Sequence, residues 1–234
     1  MLMKGSEAVS IGVSGRRPSI PPPTRIARDF AQARAKRTYQ ALVRAAEQVF
    51  ADKGYDDAQT PEIARTAGVS VGTFYRYFAD KRQAFIEMIR EHQERTYELV
   101  MSNLTADAFS AARAPRERRS TIERVIDIMF QNVGEHPRLN HVFLALSMRD
   151  PEVAKIRMEF EERGRSAVAA LIAEVAPPGR IVDPAAAAEV IQIAANEVAV
   201  ATIGSRGPAK TLENAARLRR ALADMFYRYV FGDD

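Results

Sequence analysis

Every strong hydrophobic pattern in this chain repeats with the period of a helix, and none alternates like a strand. Between residues 36 and 53, Tyr39, Leu42, Val43, Ala46, Val49 and Phe50 recur at helical spacing, which places them along one face. Gly54 supplies a stop for that helix. The pattern predicts a short helix opened by Thr60 and Pro61, and a second over VGTFYRYF capped by Ser70. Asp80 opens a long third segment to about residue 104, with Gln83 as its capping-box partner. Further helices are predicted over 117–134, 138–147, 151–175, 185–204 and 211–231, separated by the turn-rich stretches GEHPR, RDPE, APPGR and GSRGPAK. Asp150-Pro151 and Asp183-Pro184 each read as an N-cap followed by proline. The fold class is therefore all-α, a short front domain followed by a larger helical one. The expected division is a disordered basic arm over 1–32, a three-helix domain over 33–80 and a helical domain over 81–234, with 81–104 as a connecting helix. The arm is read as disordered because three consecutive prolines in SIPPPTR exclude a helix there.

Composition narrows the chemistry. The absence of cysteine excludes a disulfide framework, a Cys-ligated zinc and a thiol nucleophile, and suits a reducing cytoplasm. No apolar run approaches the ~20 residues of a membrane span. The N-terminus lacks the apolar core of a signal peptide. A soluble cytoplasmic protein with no membrane partner is expected. Residues 1–83 carry 14 Lys/Arg against 8 Asp/Glu, and residues 84–234 carry 20 against 22. Positive charge confined to the front suits an acidic partner there, nucleic acid being the commonest.

Residues 68–72 spell GVSVG, the G-x-S-x-G pattern of a hydrolase nucleophile elbow. An elbow needs a strand before its serine, yet the preceding PEIARTA reads as a capped helix. No histidine among His92, His136 and His141 has a triad context. Helix, glycine turn, helix is the better reading: Gly68 makes the turn, Val69 points inward and Ser70 caps the second helix. Phe74 and Phe78 form the buried stripe of that helix. Val71, Gly72, Thr73, Tyr75 and Tyr77 are left toward its exposed side, short or planar groups suited to a groove. Lys81 and Arg82 place two cations in the first turn of the next helix, against the macrodipole. A phosphate bound there would reverse the sign of that interaction.

The stretch TPEIARTAGVSVGTFYRYFADKRQAF resembles the DNA-binding signature of the TetR family of transcriptional regulators. The match covers roughly residues 34–95, with Arg82 where an acidic residue is usual and Phe85 where leucine is common. The resemblance implies a homodimer bound to double-stranded DNA at a palindromic operator and released by a small effector, and no enzyme. The DNA contacts it implies are Thr60, Ser70, Val71, Gly72, Thr73, Tyr75, Tyr77, Lys81 and Arg82. Arg34, Lys36 and Arg37 of the arm are expected to join them ahead of Arg16 and Arg17.

Beyond residue 100 the resemblance is architectural only. A largely apolar effector is expected from the Met and Phe content, with Tyr97, Met101, Met129, Phe130, His141, Phe143, Met158, Gln192 and Asn196 as candidate lining. Ala215, Leu218, Leu222, Met225, Phe226 and Tyr229 share one face of the last helix, and the resemblance makes that face the dimer interface. No cofactor is expected and no metal is assigned, since His136 and His141 lack helical ligand spacing. The alternative is an all-α small-molecule-binding protein or enzyme that has lost DNA binding.

Overall fold

The structure, a computed structural model, describes residues 25–111, 114–135, 137–203 and 208–232. Two compact units separate, Met1–Arg37 and Thr38–Asp234. In the first, residues 25–37 are helical, so the expected arm gives way to helix from Arg25 onward. Arg16 and Arg17 lie outside the described residues.

All the described elements are helices: α1 (Arg25–Asp57), α2 (Thr60–Thr66), α3 (Val71–Phe74), α4 (Lys81–Asn103), α5 (Ala106–Ala111), α6 (Pro115–Glu135), α7 (Pro137–Ser147), α8 (Pro151–Val175), α9 (Pro184–Ile203) and α10 (Pro208–Phe231). Gly54, at φ 81° and ψ 179°, breaks the helical path of α1, as expected of a stop, and a short helical stretch follows to Asp57. The expected caps form where a side chain can reach a free N–H. Asp80 accepts from Gln83 N–H at 2.8 Å, and Asp150 accepts from Glu152 and Val153 N–H. Asp183 accepts from Ala185 and Ala186 N–H, both at 3.0 Å. Helix α5 was not foreseen, because six residues are too few to show a period.

One core runs through the whole front of the compact unit. Leu42, Val43, Ala46 and Phe50 of α1 meet Ile63 and Ala64 of α2, Phe74 and Phe78, and Phe85, Met88 and Ile89 of α4. The same cluster continues into Leu139, Phe143 and Leu146 of α7 and Val153 and Ile156 of α8. No break in packing falls at residue 80. A short three-helix unit buries little apolar surface by itself, and here α4, α7 and α8 complete it.

A second core joins α6, α9 and α10 through Ile122, Ile126, Phe130, Ala195, Leu222, Phe226 and Tyr227. This corrects part of the expected dimer face. Leu222 and Phe226 are buried within their own chain, because α10 lays its apolar stripe on α6 and α9. Ala215 and Leu218 are half-buried, while Met225 and Tyr229 are exposed. Helix α9 is apolar on both sides, as its sequence indicates: Ala187, Ala188, Ala195 and Ala199 are buried, and Val190, Ile193 and Val200 are exposed.

Candidate nucleic-acid interface and effector cavity

The turn between α2 and α3 is fixed by backbone chemistry. Val69 N–H donates to Ala64 C=O at 2.9 Å, and Gly68 N–H donates to Arg65 C=O at 3.0 Å. This pair of bonds is a Schellman motif, which needs a left-handed residue at its centre. Gly68 supplies it, at φ 69°. Val69 packs on the front core as the motif's apolar contact. Ser70 then caps α3, its Oγ accepting from Thr73 N–H at 3.1 Å and lying 3.0 Å from Thr73 Oγ1. The serine of the GVSVG pattern is thus a helix cap.

Helix α3 is held from beneath by aromatic rings. Phe74 and Phe78 are fully buried, with centroids 5.3 Å apart. Tyr39 of α1 packs on Phe78 at 5.7 Å and on Tyr77 at 6.4 Å. What remains outside is Ser70, Val71, Gly72 and Tyr75, all exposed, with Thr73 and Tyr77 half-buried. A Cβ at Gly72 would meet only Ser70 Oγ, at 3.9 Å, so nothing in the protein demands glycine there. Glycine in a helix costs ~1 kcal/mol relative to alanine. Its absent side chain leaves the backbone open to close approach from outside.

Thr60 does not take the cap expected of it. Gln59 occupies that position in extended conformation, its carbonyl accepting from Ile63 N–H at 3.3 Å, and Thr60 is the first helical residue. Thr60 is half-buried.

The two cations at the start of α4 are also placed differently from expectation. Lys81 Nζ donates to the carbonyls of Tyr55, Asp56 and Ala58 at 2.9, 3.0 and 3.1 Å, and lies 4.8 Å from the centroid of the Tyr55 ring. An ammonium has three N–H donors, and these carbonyls engage all of them. Its charge serves the C-terminal end of α1, where a cation is favourable. Arg82 forms a two-pronged pair with Asp150, Nε to Oδ2 at 2.6 Å and Nη2 to Oδ1 at 2.8 Å, and reaches Glu152 at 3.1 Å. The neighbouring Arg149 pairs with Asp56 at 3.0 Å, so the turn before α8 is clipped to both α1 and α4. Arg76, which the sequence reading passed over, is an exposed cation two residues past α3. Arg34, Lys36 and Arg37 of α1 are exposed.

Behind the front core α4 carries a polar cluster. Buried His92 Nδ1 lies 2.9 Å from Glu47 Oε1, and Arg95 reaches both oxygens of Glu47. Burial pushes the Glu47 carboxyl up, but the His92 hydrogen bond and the Arg95 charge outweigh it and hold it below its ordinary value. Burial, with Glu87 and Glu91 nearby, pushes the Tyr39 hydroxyl up to about 12.

The C-terminal half of α4 forms one wall of a cavity of about 390 Å³. Of the candidate lining residues, Tyr97, Met101, Met129, His141, Phe143, Gln192 and Asn196 lie along it. Phe130 and Met158 do not. Phe130 belongs to the α6–α10 core, with the Arg219 guanidinium 5.8 Å from its ring, and Met158 is 60% exposed on the outer side of α8. The sequence reading missed Phe109, Ile122, Arg157, Glu161 and Phe231, which also line this cavity. Apolar lining follows the same period as ordinary core, so spacing carries no signal that separates them.

Two family models match this chain: "Bacterial regulatory proteins, tetR family" over residues 42–88, and "Tetracyclin repressor-like, C-terminal domain" over residues 119–229. The HTH-type transcriptional regulator BetI of Agrobacterium fabrum is 31% identical over 157 residues, covering 63% of this chain and 71% of that protein. The BetI of Rhizobium meliloti is 35% identical over 130 residues, 54% of this chain and 60% of that one. Among solved structures, a TetR-family regulator from Mesorhizobium loti superposes with a TM-score of 0.66 at 25% identity, covering 82% of this chain and 96% of the other. FadR from Bacillus subtilis, solved in complex with stearoyl-CoA, shares the fold with a TM-score of 0.58 at 20% identity, over 84% of this chain and 100% of the other. The chain belongs to the TetR family and is a transcriptional regulator with a DNA-binding helix-turn-helix. No helix among the described residues is long and apolar enough to cross a membrane.

Proposed function

We propose that the protein is a cytoplasmic dimeric repressor that leaves a two-fold symmetric operator when a largely apolar molecule enters the cavity. The observation that carries this reading is the outward face of α3: Val71, Gly72 and Tyr75 stand exposed on a helix anchored by two fully buried phenylalanines. Residues 38–80 act as the reading head and 81–232 as the sensor and dimerisation body. Val71 and Thr73 meet base edges and thymine methyls, and Tyr75, Tyr77, Thr60 and Arg76 meet phosphates. Arg34, Lys36 and Arg37 add charge to the same partner. Lys81 and Arg82 act indirectly, by holding α4 against α1 and α8.

Two copies pair through α9 and α10, which leave Val190, Ile193, Val200, Met225 and Tyr229 uncovered. Symmetry then sets two recognition helices about one DNA turn apart. The cavity wall on α4 and the recognition helix packed beside its start make α4 the lever between effector and DNA. Support for a bound small molecule comes from the fold relative solved with stearoyl-CoA.

Selection from random duplexes tests the operator. An inverted repeat should emerge, and Val71 or Thr73 substitutions should change its bases while Tyr75→Phe weakens all sequences alike. Ile193→Glu should yield folded monomers in sedimentation, and a folded dimer from this variant would overturn the α9–α10 pairing. Recovery of no preferred sequence would leave the alternative, a ligand-binding protein without DNA function.

A further inference from the structure

Among the described residues, Gln192 of the cavity wall carries a buried side-chain oxygen that the protein itself leaves unanswered. Gln192 Oε1 is inaccessible to solvent and has no hydrogen-bond partner. The other end of the same amide is fixed, since Nε2 donates to the backbone carbonyl of Glu161 at 3.1 Å. Turning the amide over would set two carbonyl-type oxygens against each other, so the free acceptor is the oxygen and not the nitrogen. An unmet acceptor in an apolar surround is costly, and a ligand that donates to it recovers that cost.

The charges in the wall cancel. Arg157 Nε donates to Glu161 Oε1 at 2.7 Å, one helical turn apart, and Arg157 Nη1 reaches Ser147 Oγ at 3.4 Å. Arg157 and Glu161 neutralise each other at the cavity edge, so neither an anionic nor a cationic ligand meets a net opposite charge from this pair. Thr96 contributes no donor to the cavity, its hydroxyl donating to the His92 carbonyl at 2.9 Å. Gln93, Tyr97, Asn140, His141 and Asn196 add neutral polar groups and rings to the lining, and the remaining walls are Val100, Phe109, Ile122, Ile126 and their apolar neighbours.

We infer that the cavity selects an uncharged, largely apolar ligand bearing a hydrogen-bond donor, an alcohol, a phenol or a primary amide, and that its entry shifts the wall around Gln192 enough for that donor to reach Oε1. This names the effector class within the release reading above and rests on it for its regulatory meaning. The recognition chemistry itself is independent of DNA.

The test uses purified full-length protein and calorimetry with matched pairs. 4-Octylphenol is set against 4-octylanisole, 1-dodecanol against its methyl ether, and dodecanamide against methyl dodecanoate. Dodecanoate and dodecylamine are the charged arms. At least one donor member should bind about tenfold more tightly than its capped twin, the worth of one buried hydrogen bond. Both charged arms should bind more weakly than the best donor. In Gln192→Leu the difference within that pair should vanish while the capped twin still binds. Equal binding or no binding across all three pairs overturns the inference. So does tighter binding of either charged arm, or a donor preference that survives Gln192→Leu. Operator release is then measured separately with the best donor. Selective binding without release would refute the regulatory reading and leave the ligand class standing, whereas release without donor selectivity would do the opposite.

Discussion

Around the recognition helix, aromatic rings fill the interior: Phe50, Phe74, Phe78 and Phe85 are all at most 1% exposed. Around the effector cavity, in the same compact unit, about 390 Å³ stays open and one acceptor is unmet. The front is built to hold a single shape, and the rear is built to be completed by something else. A reader of DNA gains from rigidity because misplacing a base contact forfeits it, while a sensor needs a state that a ligand can improve. The difference predicts opposite responses to the same kind of mutation.

The largest effect should come from emptying the front. Phe78→Ala should cost about 3–5 kcal/mol, the range for deleting a buried aromatic side chain. Ile122→Val, in the cavity wall, should cost only about 0.5–1.5 kcal/mol. Urea titrations of both variants check this, and similar midpoints would remove the contrast.

Lys81 comes next. Lys81→Met keeps the stem and removes the three donors that hold the end of α1. A loss of about 1.5–3 kcal/mol is expected, on the scale of one charged hydrogen bond. Because the ammonium is already engaged, the salt dependence of operator binding should keep its slope. A slope flattened by about one unit would mean that Lys81 does neutralise a phosphate when DNA is bound.

Lys81 also shows where sequence reasoning stops. Gly68, Ser70 and Asp80 were legible because their partners lie within five residues, and the caps and turn formed with the chemistry their types demand. The helical fold class and most element positions were legible for the same reason, since helical periodicity is local. The partners of Lys81 lie 23 to 26 residues away, and Asp150 lies 68 from Arg82. A cation at a helix start announces that it wants an anion or a carbonyl, without saying which. Leu222 and Phe226 failed similarly. Their spacing showed a buried face but not that the covering surface was α6 and α9 of the same chain. Phe130 and Met158 were chosen by residue type, and type does not report which side of α6 or α8 faces the cavity.

A third comparison adds volume instead of removing it. Ala64, fully buried in the front core, and Ala195, 3% exposed in the cavity wall, are matched small residues. Ala64→Leu should destabilise by about 1–3 kcal/mol through overpacking. Ala195→Leu should stabilise by about 0.5–2 kcal/mol by occupying the void, and it should weaken binding of any cavity ligand. Thermal melts of the two unliganded variants decide it. Destabilisation of both would mean that the cavity wall is as unyielding as the front core.

The smallest effect concerns the link between the two ends. Arg82 at the start of α4 holds Asp150, the N-cap of α8, and α8 carries Arg157, Phe160 and Glu161 of the cavity wall. The Arg82 hydrogen bond, against a burial effect that pushes the other way, lowers the Asp150 carboxyl from its ordinary 3.8 to about 2. A carboxyl lowered in the folded state adds stability above its unfolded value and loses it as the pH falls through the folded one. The contribution should therefore be complete above about pH 4 and fade toward pH 2, and Asp150→Asn should flatten that part of the acid limb. Arg82 is 44% exposed along its side chain, so solvent and salt screen the pair. A double-mutant cycle with Arg82→Gln and Asp150→Asn should return only a small coupling, smaller than the stability changes above, as exposed pairs do. Its functional consequence should be more visible than its stability. If the pair transmits motion of α8 to the start of α4, each single variant should reduce the factor by which effector weakens operator binding, and reduce by the same factor the effect of operator on effector. An unchanged factor in both directions would show that α4 alone carries the signal and that this pair only braces the turn.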